Sequence, residues 1–573
     1  MRFLFPIALL TWVMSLFFAR EPRITATADA RRAFRQPVYL CSPLRDRTWS
    51  VPTIGVLPGA GKHHWAIATK SDSAQVYFDQ GMNLYYSFHI IEALASFIKA
   101  ENFDPEVAAP YWAEALAYGP NINDNGYAAA PDVFPAVKNA VSKKKPGASV
   151  IIELIEAIRL RYSDAPGVDQ AALNKKYSDA MAQVYRRHPT DPDVIALYAD
   201  ALMNLHPWDL YDHDGAPKPW TGELVSLLEQ GLRIDPRHPG LNHYYIHAVE
   251  ASRDPGRALP NAARLGELTP GVAHMVHMPA HIYIRTGNYA EGMKVNVSAL
   301  KGYDNYLSLY PQVVGSVFLY QWHNTHLLAS CAIMSGEYGA AKKSAESCRN
   351  DITPDAYAFP SPMKELVEYL AATPVFAAVR YGQWDELLAM PDAPDSLLYM
   401  KILTTWGKGM AHARKGALSA ARKDLSDIQT WMESDPGMKL KLGAFNSAHD
   451  GAVVAAGMLE GAIAEASGDL KAAVSAYRAA VEAERAMVYN EPKDWILPPL
   501  PYLGAAQLKA GDAKGAEASF RKDLEFNPHN VWALKGLCMA LETQGKKQEC
   551  APIQAELTKA LKGTALELKS PVF

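Results

Sequence analysis

The sequence contains few of the features that mark nucleic-acid binding, haem attachment or thiol redox chemistry. It carries 57 Lys and Arg against 61 Asp and Glu, for a formal net charge of −4, and has no long basic run. This balance argues against a nucleic-acid-binding surface and against a polybasic membrane patch. There are 5 Cys, none in a C-x-x-C or C-x-x-C-H pattern, so the corresponding redox motif and haem attachment site are excluded.

Nucleotide-binding and hydrolase patterns are also missing. Gly59-Ala60-Gly61-Lys62 resembles part of a phosphate-binding loop, but Val56 occupies the first glycine position of that motif. His63 stands where Ser or Thr would contact magnesium. The sequence has no Gly-rich dinucleotide-binding motif and no Ser-His-Asp order of catalytic residues. Neither pattern therefore supports another catalytic class. The sequence therefore predicts no nucleotide and no haem.

The first residues form the main hydrophobic run of the chain. Met1-Arg2 precedes an apolar stretch from Phe3 to Phe18, and small-x-small triplets between Ala26 and Ala30 offer cleavage sites. The run is shorter than the ~20 residues of a membrane-spanning helix. We therefore predict an export signal at 1–30 and a periplasmic or secreted protein, with an uncleaved N-terminal membrane anchor as the alternative. An irregular segment follows at 31–73.

A repeat with a period of 34 residues runs through the chain. A unit starting at Ala74 places small residues at positions 8, 20 and 27, an aromatic at 24 and proline at 32, as the helix–turn–helix tetratricopeptide repeat requires. A unit starting at Val454 matches positions 8, 20, 24 and 27, and one starting at Leu497 matches positions 8, 20, 24 and 32. A unit starting at Val531 matches in part, with small residues at positions 8 and 15. Small residues let two helices approach closely, and proline ends the second helix. We predict an all-α, tetratricopeptide-type, right-handed superhelical solenoid of helix–turn–helix hairpins.

The middle of the chain diverges from this pattern but still indicates paired helices. We predict helix breaks at Asp254-Pro255-Gly256 and Thr269-Pro270, a loop from Pro207 to Trp220, and a long helix from about Gly315 to Ser335. The predicted organisation is a divergent repeat region at 74–350 with a histidine-lined groove, followed by tetratricopeptide repeats at 351–573.

Histidines are concentrated in this divergent region. His243, His247 and Glu250 are spaced i, i+4 and i+7, so at ~100° per residue they share one helix face. Two further sets follow, one of His274, His277 and His281 and one of His323 and His326. All three segments fall on predicted first helices of successive hairpins, which line the concave surface of such a solenoid about 10 Å apart.

Imidazoles and carboxylates from facing helices are the usual way in which helical proteins build metal sites. We predict that His243, His247, Glu250, His277 and His281 are the principal metal ligands. His274, His323 and His326 are predicted outer ligands or acid–base groups. Mixed imidazole and carboxylate ligands suit iron, copper, manganese or zinc. Pro279 should kink the helix between His277 and His281 and aim the two rings at one point. A wet histidine-rich surface without metal is the alternative interpretation.

The segments GLNHYYIHAVEASRDPGRALPNAARL and HMVHMPAHIYIRTGNYAEG resemble motifs of a large family of bacterial and fungal tetratricopeptide-repeat proteins. The resemblance also covers FDQGMNLYYSFHIIEALASFIKAENFDPEVAAPYWAEALAYGPNIN and PWDLYDHDGAPKP, and it spans most of the chain from Lys62 to Tyr338. Ala280 replaces the commoner Ser, and Gln321-Trp322 stands where Tyr-Pro is typical. The resemblance implies the fold and transfers no reaction.

Two functions remain open at this stage. The first is a metal-dependent oxidoreductase with a small-molecule substrate, with metal-assisted hydrolysis as a second reaction class. The second is a metal-free scaffold of the cell envelope that holds a peptide or protein in the concave groove. Cys331 and Cys348, and likewise Cys538 and Cys550, lie on the two helices of one predicted hairpin, and an oxidising compartment would permit disulfides there.

Overall fold

The computed structural model describes residues 54–123, 127–145, 149–309 and 317–573. The predicted export segment 1–30 and most of the segment 31–73 lie outside the described residues. Within these ranges the chain forms α-helices, a few short 3-10 turns and no β-strand. No described helix is both long enough and apolar enough to cross a membrane.

The helices of the first half are α1 Asp72–Tyr85, α2 Ile90–Phe103, α3 Ala108–Ala117, α4 Val133–Ser142, α5 Val150–Ile158, α6 Gln170–Arg187, α7 Pro192–Met203, α8 Thr221–Ile234, α9 Pro239–Val249, α10 Leu259–Leu268, α11 Ala273–His277, α12 Pro279–Arg285 and α13 Tyr289–Leu309. Those of the second half are α14 Val317–Ser335, α15 Tyr338–Asp351, α16 Met363–Ala371, α17 Thr373–Arg380, α18 Trp384–Ala389, α19 Leu398–Arg414, α20 Leu418–Trp431, α21 Ala448–Ala466, α22 Leu470–Ala486, α23 Leu500–Lys509, α24 Ala513–Phe526, α25 Val531–Thr543 and α26 Lys547–Ala560.

Consecutive helices pack as hairpins, and each hairpin packs on the next. Extensive contacts join α1 with α2, α21 with α22, α23 with α24 and α25 with α26, while α22 with α23 and α24 with α25 link neighbouring hairpins. This stacking confirms the predicted all-α, tetratricopeptide-type solenoid. Helix starts in the repeats carry side-chain caps, as at Asp469 and Asp512, and Gly468 and Gly511 take the left-handed conformation that ends the preceding helix.

The repeat glycines mark points where an aromatic ring presses on a helix backbone. A Cβ atom added at Gly504 on α23 would lie 2.6 Å from Cζ of Phe520 on α24. The same ring also presses on Gly536 of α25. Position 8 of the repeat is therefore small because the aromatic at position 24 fills the space in which a side chain would stand.

We expect Gly504→Ala to lower the free energy of unfolding by about 1–3 kcal/mol, because the Phe520 ring must leave its preferred position. Chemical denaturation followed by circular dichroism measures this loss. Gly266→Ala on α10 is the matched control, because the nearest atom to its added Cβ is an ordinary 3.7 Å away. There the better helix propensity of alanine should leave stability unchanged or raise it by up to about 1 kcal/mol. Equal losses in both variants would contradict this account of the repeat.

The predicted breaks in the middle of the chain occur where expected. A 3-10 turn at Pro255–Ala258 separates α9 from α10, and α10 ends before Thr269-Pro270. No helix lies between α7 and α8, where the loop from Pro207 to Trp220 was predicted. Pro279 starts a new helix, so the expected kink is a junction between α11 and α12 at Met278.

The C-terminal repeats return to the middle of the solenoid and cover its inner face. Trp532 of α25 donates its indole N–H to the carbonyl of Ile333 on α14, at 3.2 Å. Tyr289 at the start of α13 donates to the carbonyl of Pro528, at 2.8 Å. The loop between α22 and α23 reaches Glu250, where Tyr489 donates a hydrogen bond of 3.0 Å. The histidine-bearing helices therefore face a covered interior, where the sequence had indicated an open groove.

The two candidate cysteine pairs differ. Cys538 and Cys550 form a disulfide between α25 and α26. Cys331 and Cys348 are buried and unbonded, on α14 and α15. Only the C-terminal hairpin carries the covalent link that the spacing allowed.

Candidate metal centre

Four helix segments bring seven of the eight predicted site residues together, all except His326. His243 and His247 stand one turn apart on α9, and Glu250 follows the end of that helix. α11 and α12 carry the next set of histidines, and α14 carries His323. α9 pairs with α10, α11 and α12 with α13, and α14 with α15, so these segments are the first helices of three successive hairpins. Their inner faces therefore converge, as the sequence predicted.

The first cluster, which we call trio one, consists of His243, His247 and His274. The Nε2 atom of His243 lies 3.1 Å from Nε2 of His247 and 3.2 Å from Nε2 of His274. All three side chains are buried. Three imidazole nitrogens that share a tetrahedral metal with bonds of 2.0–2.1 Å are about 3.3 Å apart. Two of the separations in trio one match this value, and the third is within 4.8 Å, so the trio is close to the dimensions of a three-histidine metal site.

The second cluster, trio two, consists of His277, His281 and His323. The Nε2 atom of His281 lies 2.8 Å from Nε2 of His277 and 3.3 Å from Nε2 of His323. Pro279 lies between His277 and His281, so the helix junction at Met278 sets the orientation of the two rings. Rings of the two trios are neighbours, with centroids 5.8 Å apart for His247 and His281.

The far side of four rings is held by oxygen atoms that can only accept a hydrogen bond. Nδ1–H of His243 donates to the carbonyl of Tyr86 at 2.6 Å. Nδ1–H of His277 donates to Oδ1 of Asn296 at 2.6 Å; the amide nitrogen of Asn296 is engaged with the Gly292 carbonyl. His247 and His281 donate in the same way to carboxylates. In each neutral ring the proton is thereby fixed on Nδ1, and the lone pair is on Nε2.

Glu250 joins the two trios. Its Oε1 accepts from Nδ1 of His247 and its Oε2 accepts from Nδ1 of His281, both at 2.9 Å. Oε1 of Glu491 lies 3.1 Å and 3.2 Å from the same two nitrogens. The carboxylate of Glu250, which the sequence predicted as a ligand, therefore lies behind the rings, on the side opposite to the converging Nε2 atoms. Carboxylate–histidine contacts of this kind orient metal ligands.

Burial and neighbouring charges shift the pKa values of the histidines in different directions. Burial, together with neighbouring imidazoles, holds the pKa of His243, His274 and His277 well below the usual value, and it lowers the pKa of His323 to about 4. Burial would also lower the pKa of His281, but the carboxylates of Glu491 and Glu250 raise it to about 10. The same carboxylates raise the pKa of His247 against its burial. The clusters thus combine neutral rings with two rings, His247 and His281, whose protonated form the carboxylate pair stabilises.

Two aromatic residues in strained backbone positions cover trio one. Phe88 and Trp208 have φ angles of 57° and 62°, in a region that costs a non-glycine residue about 1–3 kcal/mol. The ring of Phe88 stacks on His247 at a centroid distance of 5.7 Å, and Trp208 meets the same imidazole edge-on at 5.3 Å. The fold therefore maintains two strained residues that both contact one histidine of the cluster.

The structure places the other predicted residues as follows. His274 and His323, which the sequence assigned to outer roles, stand within the trios. His326 belongs to neither trio; its ring lies 5.3 Å from Tyr369, and burial lowers its pKa to about 3. Sequence reasoning missed Tyr489 and Glu491, because they come from a C-terminal loop whose spacing gives no signal of contact with α9.

One other histidine group differs in a way that matters for metal binding. His63, Asp193 and His238 also lie close together. Here both rings contact the same Oδ1 of Asp193, at 2.8 Å and 3.1 Å, and Tyr86 donates to that oxygen at 2.7 Å. Nδ1 of His238 accepts from the backbone of Leu241. This group is a closed hydrogen-bond network in which no lone pairs face one another.

Fold and site together define a helical-repeat protein with a buried polyhistidine centre. No family model matches the chain, and no curated protein matches it. Among solved structures, it is similar to the human IFIT1 dimer with m7Gppp-AAAA, with a TM-score of 0.30, 12% identity and coverage of 86% of this chain and 91% of that one.

Two further solved structures are similar to this chain. Yeast Tom70 has a TM-score of 0.28 and 11% identity, over 86% of this chain and 93% of that one. The APC/C hetero-tetramer Cut9-Hcn1 has a TM-score of 0.26 and 12% identity, over 87% and 76%. Similarities this distant say nothing about the function of this chain.

Proposed function

We propose that this protein is an exported metalloprotein that holds one transition-metal ion in each histidine trio and uses the pair in oxidation–reduction chemistry. The observation that supports the proposal most directly is the convergence of Nε2 atoms. In trio one, His243 and His247 both direct Nδ1 to an oxygen acceptor, so their Nε2 atoms, 3.1 Å apart, are the ring nitrogens left to coordinate a metal. A metal ion between them would bind both nitrogens in place of a proton.

The ligand set bears on the choice of metal. With Glu250 bonded to the Nδ1 side, each trio offers imidazole alone, which suits copper, iron and zinc, whereas manganese prefers oxygen ligands. Of the four metals considered from sequence, copper and iron are therefore the ones we propose for redox chemistry. Three protein ligands also leave a coordination position open for a substrate or water. The bound metal would supply the electron transfer, while Glu250 and Glu491 fix the rings.

Export is supported by two features of the chain. The N-terminal segment Met1 to Ala30 has the charge, apolar core and small residues of a signal peptide. The disulfide between Cys538 and Cys550 fits an oxidising compartment such as the periplasm or the extracellular medium.

A binding scaffold for a peptide or protein is the second function that the sequence left open, and helical-repeat solenoids commonly serve as such scaffolds. The covered interior limits where a partner could lie. His243, His247 and His281 are buried, so a peptide cannot lie along them without displacing the loop that carries Tyr489. This covering favours the metal proposal for the histidine face.

The proposal is tested by elemental analysis of the mature protein, purified after export from cells supplied with copper, iron, manganese and zinc. We expect two ions of copper or iron per chain, removable by a chelator and restored on re-addition. Protein that contains no metal, and whose thermal unfolding ignores all four ions, would overturn the metal site. Stoichiometric zinc alone would leave the site in place but overturn the redox function, because zinc has no redox chemistry in proteins.

A further inference from the structure

Tyr489, whose hydroxyl donates to Glu250, lines a cavity of about 570 Å³. The cavity is formed where the C-terminal repeats return to the middle of the solenoid, and both parts contribute to its wall. Buried or half-buried Tyr289, Tyr489 and Trp495 line it together with exposed Arg253 and Arg485, so the cavity runs from solvent to an aromatic interior. Its volume lies in the range of small-molecule sites.

The charges that line the cavity leave an excess of cations. Each of its three carboxylates is paired with a basic residue of the same wall: Asp214 with Arg253, Glu484 with Lys493, and Glu525 with Lys522. Two lining guanidinium groups, those of Arg285 and Arg485, have no carboxylate partner among the described residues. The cavity wall therefore carries a net positive charge that favours binding of an anion.

Both of these guanidinium groups stand next to aromatic rings. Arg285 donates to the carbonyls of Glu250 and Ser252, both at 3.0 Å, which fixes its group 5.0 Å from the centroid of the Tyr489 ring. Arg485 lies 5.8 Å from the centroid of Phe526, another lining residue. A cation next to a flat apolar face is the combination that binds a carboxylate attached to an aromatic ring.

We infer that this cavity binds a small aromatic carboxylate and, resting on the proposed function, that its occupant is coupled to the metal centre through Tyr489 and Glu250. The ring would lie against Tyr489, and the carboxylate would meet Arg285 and Arg485. The hydroxyl of Tyr489 donates to Oε2 of Glu250, the oxygen that also accepts from His281. A molecule that contacts the Tyr489 ring is thus linked to trio two by the hydrogen bonds of Tyr489 and His281 to Glu250.

Benzoate binding to the full mature chain, measured by isothermal titration calorimetry, tests the cavity. We expect benzoate to bind, and neutral benzamide and inorganic phosphate to bind at least about tenfold more weakly. Arg485→Gln should weaken benzoate binding about tenfold through loss of a charge-assisted hydrogen bond. Arg478→Gln is the matched control, because Arg478 is exposed on the same helix, α22, and lies outside the cavity wall. No benzoate binding, equal binding by Arg485→Gln, or tighter binding of phosphate would overturn the inference.

A second measurement tests the connection to the metal centre. In protein reconstituted with Cu²⁺, benzoate should shift the visible absorption of the metal, and Tyr489→Phe, which keeps the ring but lacks the hydroxyl, should abolish that shift. A shift that persists in Tyr489→Phe would overturn the connection. Metal content is measured on the same samples, so the two proposals fail separately. Metal without benzoate binding overturns the cavity assignment, and benzoate binding without metal overturns the metal proposal.

Discussion

Replacing one histidine of a single trio is expected to remove one of the two metal ions and leave the other. His274→Ala removes a ligand of trio one only, and His323→Ala removes a ligand of trio two only. Each variant should bind about half the metal of the wild type, because two remaining imidazoles hold a transition metal much more weakly than three. The double variant His247→Ala plus His281→Ala, which takes a ligand from both trios, should bind none. Elemental analysis and metal titration measure these stoichiometries.

The control for this series is His63→Ala. His63 also belongs to a close group of two histidines and a carboxylate, but there the rings are bonded to Asp193 and no lone pairs converge. The His63→Ala variant should therefore keep the full metal content. Loss of both ions in His274→Ala would contradict two separate sites and would indicate one shared site instead. Unchanged metal content in the double variant would remove the assignment of the trios altogether.

Replacing Glu250 by glutamine should weaken both sites at once. The carboxylate accepts from His247 with one oxygen and from His281 and Tyr489 with the other. An isosteric amide offers only one acceptor, so one buried imidazole N–H must face an amide N–H. Loss of such an outer contact typically costs 10–100-fold in metal affinity. We expect losses in this range at both sites in competition titrations with a chromophoric chelator.

Glu229→Gln is the matched control for Glu250→Gln. Glu229 is a carboxylate on α8 that accepts a hydrogen bond of 2.8 Å from Tyr245, on the same helix as His243 but away from the trios. Its replacement should leave both metal affinities within twofold of the wild type. If Glu250→Gln weakens only one site, the carboxylate is not the connection between the two trios.

The fold could be predicted because the contacts that define the repeat join residues close together in the sequence. The small residue at position 8 and the aromatic at position 24 of one unit contact each other within 16 residues, as Gly504 and Phe520 do. Proline and glycine likewise end helices by local geometry, as at Pro279 and Gly511. Close helix packing within each hairpin therefore follows from the sequence of that hairpin alone.

The site could be predicted only in part, because helical spacing reports which residues share a face but not how the rings turn. The spacing named eight candidate residues, and the structure brings all of them together except His326. It could not show that Glu250 contacts Nδ1 atoms, since that depends on side-chain rotamers. Nor could it show that the interior is covered, because Tyr489 is separated from Glu250 by 239 residues and no local pattern connects them.

That separation has a consequence for biosynthesis. The histidines of both trios have been synthesised once the ribosome has passed α14, but Tyr489 and Glu491 arrive only after most of the remaining repeats. Until then an incomplete chain presents its imidazoles to the surroundings, where any available cation can reach them. Docking of the last repeats is therefore the step that covers the imidazoles, and a chain terminated before Tyr489 would leave them exposed.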